Sequence, residues 1–560
     1  MIRLKSFSYE QQTSSKKYWF TFVGNNIMDL SQSYKQRPEI DDHYDAICIG
    51  SGLGCLTTAN LMAKRGKKVL VLEKHYTPGG FTHVFSRPEY EWDVGVHYVG
   101  EVLKPGTMMY NLFQHLSNGE MKWADMGDVY DRIVFGNTTY DFVKGVGNFK
   151  EKMKSYFPNE ADGIDKYVKE LFAVNSATRT YFAEKILPET IRFFTSGLLR
   201  KSYLKYSNRT TKEVIGQCTN DPKLLAVLTG QYGDYGLPPS KSSFVMHAAV
   251  AKHYMGNGGA YPVGGSINFF KTIAPEILNA GGKVITNADV INVLVKNGTA
   301  IGVKMKDGRE ILSDTVISGA GLDVTLNKLL PKEELSKFPL EELKSVPHSV
   351  GHVSLYIGIK ETSESLNLPK ANFWIYPDNY DHDENVENYL KDPENTEFPV
   401  VYISFPSAKD PEFETRFPGK STIEIITLAP YEWFTQWENS RWKKRGQEYD
   451  EYKEKMSLKL LDKLYERLPQ LKGKIDYYEL STPLSTKHFA NYEHGELYGL
   501  DHIPERYRIK ALRPKTPINN FYLTGQDILS AGIGGAGMAG VLTASSVLNK
   551  NLIFDLMKQR

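Results

Sequence analysis

Three glycines, Gly50, Gly52 and Gly54, follow a short apolar run from Tyr44 to Ile49 and open a stretch of helical spacing through Leu56, Ala59 and Ala63. Without Cβ atoms the chain can turn tightly at Gly50 and let a ligand approach the backbone at Gly52. The amides that open the helix then face an anion. Ser51 and Leu53 fill the loop between the glycines, and Cys55 takes the third small position of the fingerprint. A second apolar run, Lys67 to Leu72, ends on Glu73, roughly twenty residues on, where a carboxylate can bond a ribose diol. Strand, glycine turn, helix, strand and acid together describe a dinucleotide site. Lys74 follows the acid, and Gly79-Gly80 either bring further amides toward phosphate and sugar or form a plain turn after Pro78.

The far end of the chain selects the dinucleotide. Asn520 to Asp527 reads as a strand ending in Thr524-Gly525-Gln526-Asp527, followed by Gly532, Gly534 and Gly535 and a final apolar helix. This layout lets Asp527 reach a ribityl hydroxyl and turns a positive helix end toward a flavin pyrimidine. FAD is therefore the expected cofactor, held by Gly50, Ser51, Gly52, Leu53, Gly54, Glu73, Lys74, Gly79, Gly80, Gly525, Asp527, Gly534 and Gly535. No second glycine fingerprint follows a strand, so no separate nicotinamide domain is expected. For acid–base chemistry the candidates are His97 and Tyr98, just after Asp93-Val94-Gly95, and then His83 and Tyr261; the alternative is that they shape the cavity. His75 reads as packing near the adenosine end.

These residues need a scaffold that is split in sequence. Gly281-Gly282 end an amphipathic helix through Ile267, Phe270, Ile273 and Ile277, and a β-meander follows with turns at Asn297-Gly298 and Asp307-Gly308. Val316 to Gly321 closes the meander and returns to the nucleotide fold. The expected class is α/β: a Rossmann-type FAD-binding domain interrupted by an inserted α+β substrate domain. Residues 1–42 form an N-terminal extension; 43–107, 255–330 and 510–560 build the FAD domain; 108–254 and 331–509 build the substrate domain. The stretch from Met108 to Met255 reads as helical and aromatic, and Gln447–Arg467 as a charged helix with a solvated face.

Composition narrows the partners. A net charge of +2 over 560 residues gives no electrostatic reason for nucleic acid. The three cysteines, Cys48, Cys55 and Cys218, lack disulfide or metal spacing, so a reducing compartment and no metal are expected. Residues 1–42 lack a secretory apolar core. Ile528 to Leu548 is long and uncharged enough to span a bilayer, but its glycines favour a turn and a buried helix.

The blocks around Gly50, Leu70 to His75, Gly79-Gly80, Trp92 to Gly100, Tyr261 to Gly265 and Thr524 to Asp527 resemble the retinol saturase, carotenoid isomerase and phytoene desaturase group of FAD enzymes, most nearly retinol saturase. The resemblance implies a lipophilic polyene or unsaturated-lipid substrate, with saturation or desaturation of a carbon–carbon double bond. The alternatives are a redox-neutral double-bond isomerase and, from another class, a non-catalytic prenyl or lipid carrier. The electron donor or acceptor is not legible. Phe81-Thr82 stand where the saturase relatives carry cysteines, while His83 is retained. The relatives' N-terminal secretory or membrane segment has no counterpart, so a cytoplasmic location, with peripheral membrane contact, is expected. Thr190 to Lys205 mixes large apolar with basic residues; it reads equally as a bilayer-surface helix or as a core-packed one.

Overall fold

The computed structural model describes residues 20–23, 26–187 and 189–558; the remainder of the N-terminal extension lies outside them. Six strands form one sheet in the order Phe521–Leu523, Val316–Ser318, Ala46–Ile49, Val69–Leu72, Lys283–Thr286 and Gln32–Ser33. Every pairing in it is parallel. Both leading strands are buried at every position, as their unbroken apolar runs require of a sheet covered on both faces. The edge strand Gln32–Ser33 comes from the stretch read as an extension.

All eleven residues of the helix Leu53–Ala63 are buried, between the helices Asn268–Asn279 and Gly532–Val547. The contact with the second helix is glycine on backbone. A Cβ on Gly540 would sit 2.6 Å from the Gly54 carbonyl oxygen, and one on Gly54 would sit 2.8 Å from the Gly525 nitrogen. The uncharged C-terminal stretch is thus a packed helix. Among the described residues no helix is long and apolar enough to cross a membrane.

The meander strands Val290–Lys296, Thr299–Met305 and Glu310–Ser313 carry His43–Tyr44 at their edge. A larger sheet runs Thr138–Val143, Val129–Phe135, Asn372–Tyr376, Val401–Ser404, Ser421–Leu428, His352–Ile359 and Ile475–Ser481. It is antiparallel except where Val129–Phe135 meets Asn372–Tyr376. Helices Ala161–Lys185, Glu189–Ser207 and Phe244–Met255 pack on one another beside it.

Two expectations change. The stretch read as helical contains Trp123–Asp125 and the hairpin Val129–Phe135/Thr138–Val143. Its alternating residues and Gly136-Asn137 turn are a hairpin signal that the density of aromatics obscured. The helix Gln447–Arg467 has its expected bounds, but Tyr449, Met456, Leu460, Leu461 and Leu464 form a buried stripe opposite its solvated face.

Candidate active site in two adjoining cavities

The first cavity, about 1030 Å³, lies at the carboxyl ends of Ala46–Ile49 and Val69–Leu72, where open α/β sheets bind ligands. Gly50 sits at φ +95°, which only glycine adopts freely. Gly52 differs: its backbone is extended, and an added Cβ would meet no protein atom within 4 Å. Neither its dihedrals nor its neighbours demand glycine, so the missing side chain leaves room for a ligand. Gly52 caps the helix Leu53–Ala63 without a side-chain bond, leaving first-turn amides free for a pyrophosphate. Ser51 ties the loop down: its N–H and Oγ donate to Glu73 Oε2 at 2.8 and 2.5 Å, and its Oγ accepts the Gly79 amide at 2.9 Å. Glu73 Oε1 accepts the His75 amide at 2.7 Å.

The other expected cofactor residues divide. Leu53, Gly54, Lys74, Gly79, Gly80, Gly525 and Asp527 all line this cavity. Lys74 Nζ donates to Asn491 Oδ1 at 3.0 Å. Asp527 is buried, and its two oxygens accept the Leu322 amide at 2.7 Å and the Leu500 amide at 3.0 Å. It staples two segments at the cavity wall as well as facing the cavity, where each oxygen keeps a lone pair for a hydroxyl. Gly534 and Gly535 line the second cavity instead; Gly532, Ile533 and Ala536 reach the first. The helix begins at Gly532, so its turn carries the next residues past the cofactor side. Phe81 lies parallel to Tyr492 with ring centres 5.8 Å apart, both on the cavity wall. This cradle fits FAD: a bare glycine loop, an uncapped helix end, an acid on the second strand and a wall of flat rings.

The second cavity, about 750 Å³, adjoins the first through shared residues that include Val94, Gly95, His352, Tyr498 and Ile533. Its wall is aromatic and aliphatic, with Val174, Phe182, Tyr254, Trp374, Tyr402 and Met538 among its residues. That volume and lining suit a drug-sized apolar molecule.

The acid–base candidates separate here. Tyr98 lines the second cavity, but its hydroxyl donates to Asp131 Oδ2 at 2.9 Å and to Asp234 Oδ2 at 3.2 Å. Burial and these acids push its phenol well above the ordinary range, making it a poor proton donor. Tyr261 lines neither cavity; its hydroxyl donates to Asp93. His83 lies on the cofactor side, its Nδ1 turned to the Gly80 carbonyl, and burial holds it down at about 4. His97 lines the second cavity with Nδ1 3.0 Å from Glu424 Oε2.

Glu424, on Ser421–Leu428, is fully buried. Among the described residues neither of its oxygens nor His97 Nδ1 has a partner of strict hydrogen-bond geometry, the facing pair included. Burial pushes the Glu424 carboxyl up to about 8, against the pull of Lys409, and holds His97 down at about 3. At neutral pH both are uncharged. A carboxyl hydrogen turned to Nδ1 would leave Nε2–H for the cavity. Lys409 anchors the strand end, donating to the His97 carbonyl at 3.0 Å and to Ser404 Oγ at 2.7 Å. Burial lowers it to about 7. His352, missed in the sequence like Glu424 and Lys409, lines both cavities with an unpartnered Nδ1. The one available signal was a lone acid inside the apolar strand Ser421–Leu428.

Two glycines give opposite expectations. Gly52→Ala should keep the apoprotein melting temperature yet bind flavin about tenfold or more weakly, roughly 1.4 kcal/mol. Gly540→Ala should lower melting through overpacking worth about 1–3 kcal/mol. Thermal unfolding of apoprotein and flavin titration distinguish them; equal melting losses in both would refute the ligand role of Gly52.

The comparisons agree with this geometry. All-trans-retinol 13,14-reductase of Danio rerio is 35% identical over 543 residues, covering 93% of this chain and 89% of the relative. Prolycopene isomerase 1 of an Oncidium hybrid cultivar is 26% identical over 522 residues, covering 90% and 84%. The solved structure of putrescine oxidase bound to putrescine superposes with TM-score 0.60 at 13% identity, covering 91% of this chain and 99% of that one, a likeness of fold. The model for flavin-containing amine oxidoreductases matches residues 54–548. The chain belongs to the flavin-containing amine oxidoreductase family, with FAD as its cofactor.

Proposed function

We propose that the protein reduces a carbon–carbon double bond of a polyene lipid, with 43–107, 255–330 and 510–560 forming the cofactor domain and 108–254 and 331–509 the substrate domain. The observation that carries this reading is an apolar cavity that adjoins the cofactor cavity and holds one neutral histidine backed by a neutral buried carboxyl. Relatives named retinol 13,14-reductases support it.

FAD, when bound and reduced by an electron donor, would supply a hydride to one carbon. The chain supplies the proton for the other. The His97 Nε2–H bond breaks as the carbon–hydrogen bond forms, and the Glu424 carboxyl proton passes to Nδ1. The carboxylate left behind is stabilised by nearby Lys409, which also lowers the Glu424 value. The apolar wall holds the substrate and excludes water.

A second reading, double-bond isomerisation, is favoured by the prolycopene isomerase relatives. Anaerobic incubation of the flavin-reduced protein with retinoids, carotenoids and polyunsaturated fatty acids separates the two. Reduction adds two hydrogens to the product mass; an unchanged mass in every rearranged product would sink reduction.

Substrate entry from a membrane surface is part of the same proposal. On Glu189–Ser207, Phe193 and Phe194 are 81% and 84% exposed and Leu198 is 77% exposed, while Arg200 and Tyr203 are buried. That helix packs on Ala161–Lys185, which lines the substrate cavity. Phe554 and Met557 are also exposed, at the cavity wall.

Three expectations follow. Double-bond reduction in His97→Ala should slow by roughly 10²–10⁴-fold with flavin still bound. In wild type the rate should fall as pH rises through about 8, where Glu424 loses its proton, and Glu424→Gln should lose that alkaline limb; an unchanged limb would remove Glu424 from the relay. The protein should float with anionic liposomes and Phe193→Glu/Phe194→Glu should not, whereas failure of wild type to float would end the membrane proposal.

A further inference from the structure

Away from both acid–base candidates, three chain segments meet behind Asp527. Its carboxylate accepts the amide of Leu322 from the short helix Leu322–Val324 and that of Leu500. His348 bridges to Leu500 in antiparallel fashion, and the Ser349 amide donates to the Gly499 carbonyl at 2.7 Å. Two of the segments also line the cofactor cavity, through Val324 and through Tyr492 and Leu497, as does Asp527 itself. On their outer side the segments present Asp323, His348 and His494, with ligand atoms all within 4.8 Å of one another.

The imidazoles of His348 and His494 lie nearly parallel, 26° apart, with ring centres 4.3 Å apart. Burial, with His494 beside it, lowers the His348 value. Glu496 supplies an independent observation. It is 2% exposed, and its Oε1 lies 3.8 Å from His348 Nδ1. Its Oε2 accepts the His494 amide at 2.8 Å. The buried Glu496 carboxyl stands behind the His348 ring, where a closer approach on metal binding would orient it.

We propose that Asp323, His348 and His494 bind a divalent transition metal of the zinc class, with Glu496 orienting His348 and a water completing the shell. Two imidazoles and one carboxylate match zinc and its neighbours and do not match magnesium or calcium, which take oxygen ligands. Donors around a zinc ion at ~2.0–2.1 Å stand about 3.4 Å apart, so the side chains close by roughly an ångström. Exposed His494 has the freedom to do so. The ion would cross-link the three segments, two of which line the cofactor cavity and bond Asp527, raising the stability of the flavin-loaded protein by linkage.

The test uses the full-length, flavin-loaded protein stripped by chelator and then titrated with zinc chloride or magnesium chloride, read by calorimetry and thermal unfolding. Zinc is expected to bind one-to-one with micromolar or tighter affinity and to raise the melting temperature, while magnesium does neither. His494→Ala, at an exposed position that leaves folding intact, should weaken zinc at least tenfold and abolish the melting shift; Glu496→Gln should weaken it less. Absence of one-to-one zinc binding in wild type, or equal zinc affinity in His494→Ala, would overturn the proposal.

Discussion

Gly54 packs so closely on Gly525 and Gly540 that no side chain fits between them, and the cofactor cavity depends on that contact. It brings two helices from opposite ends of the chain, Leu53–Ala63 and Gly532–Val547, into direct backbone apposition. Neither helix has a side-chain cap at its N-terminus. Buried, uncapped helix ends carry unsatisfied amides and a partial positive charge, a cost that a bound anionic group offsets. One end opens on the first cavity and the other on the boundary between the two. The same glycines therefore fix both where the cofactor lies and where a substrate can meet it.

Around the second cavity, ionisable groups have been withdrawn from water. Glu424, Asp93, Asp131 and Lys409 are buried, and burial shifts all four toward their uncharged forms. An apolar core of the same volume would be at least as stable, so their retention points to chemistry. Asp131 is largely satisfied, by Tyr98, Gln231 and Asn372. Asp93 takes Ser266 and Tyr261. Glu424 faces His97 at 3.0 Å, with Lys409 and the Asp93 backbone also near it, and both its oxygens lack a partner of strict hydrogen-bond geometry.

Local chemistry made the cofactor half legible in the sequence. The Gly50 loop and Glu73 lie within one strand–helix–strand unit, whose spacing brings them to one cavity. Asp527 was legible as well, although its load of two backbone amides was not, because those partners come from distant segments. Gly534 and Gly535, grouped with the cofactor residues from the sequence, line the second cavity, a placement set by a helix phase that a glycine count does not reveal. The candidate acid–base groups were harder to read. His97 was found from its nearness to a recognisable block, and Tyr98 and Tyr261 came with it, though their hydroxyls are bound to buried acids. Glu424 and His352 lie on strands of the larger sheet and Lys409 on the short helix Pro406–Lys409 between two of them, and only that sheet's folding brings them to His97.

Solvent isotope incorporation tests the paired-cavity chemistry most directly. The flavin-reduced protein is equilibrated anaerobically in deuterium oxide, given a polyene that it accepts, and the product is analysed by mass and fragmentation. Two deuteriums, one on each carbon of a single former double bond, are expected. A product of unchanged hydrogen count with only its double-bond geometry altered would contradict reduction at this site.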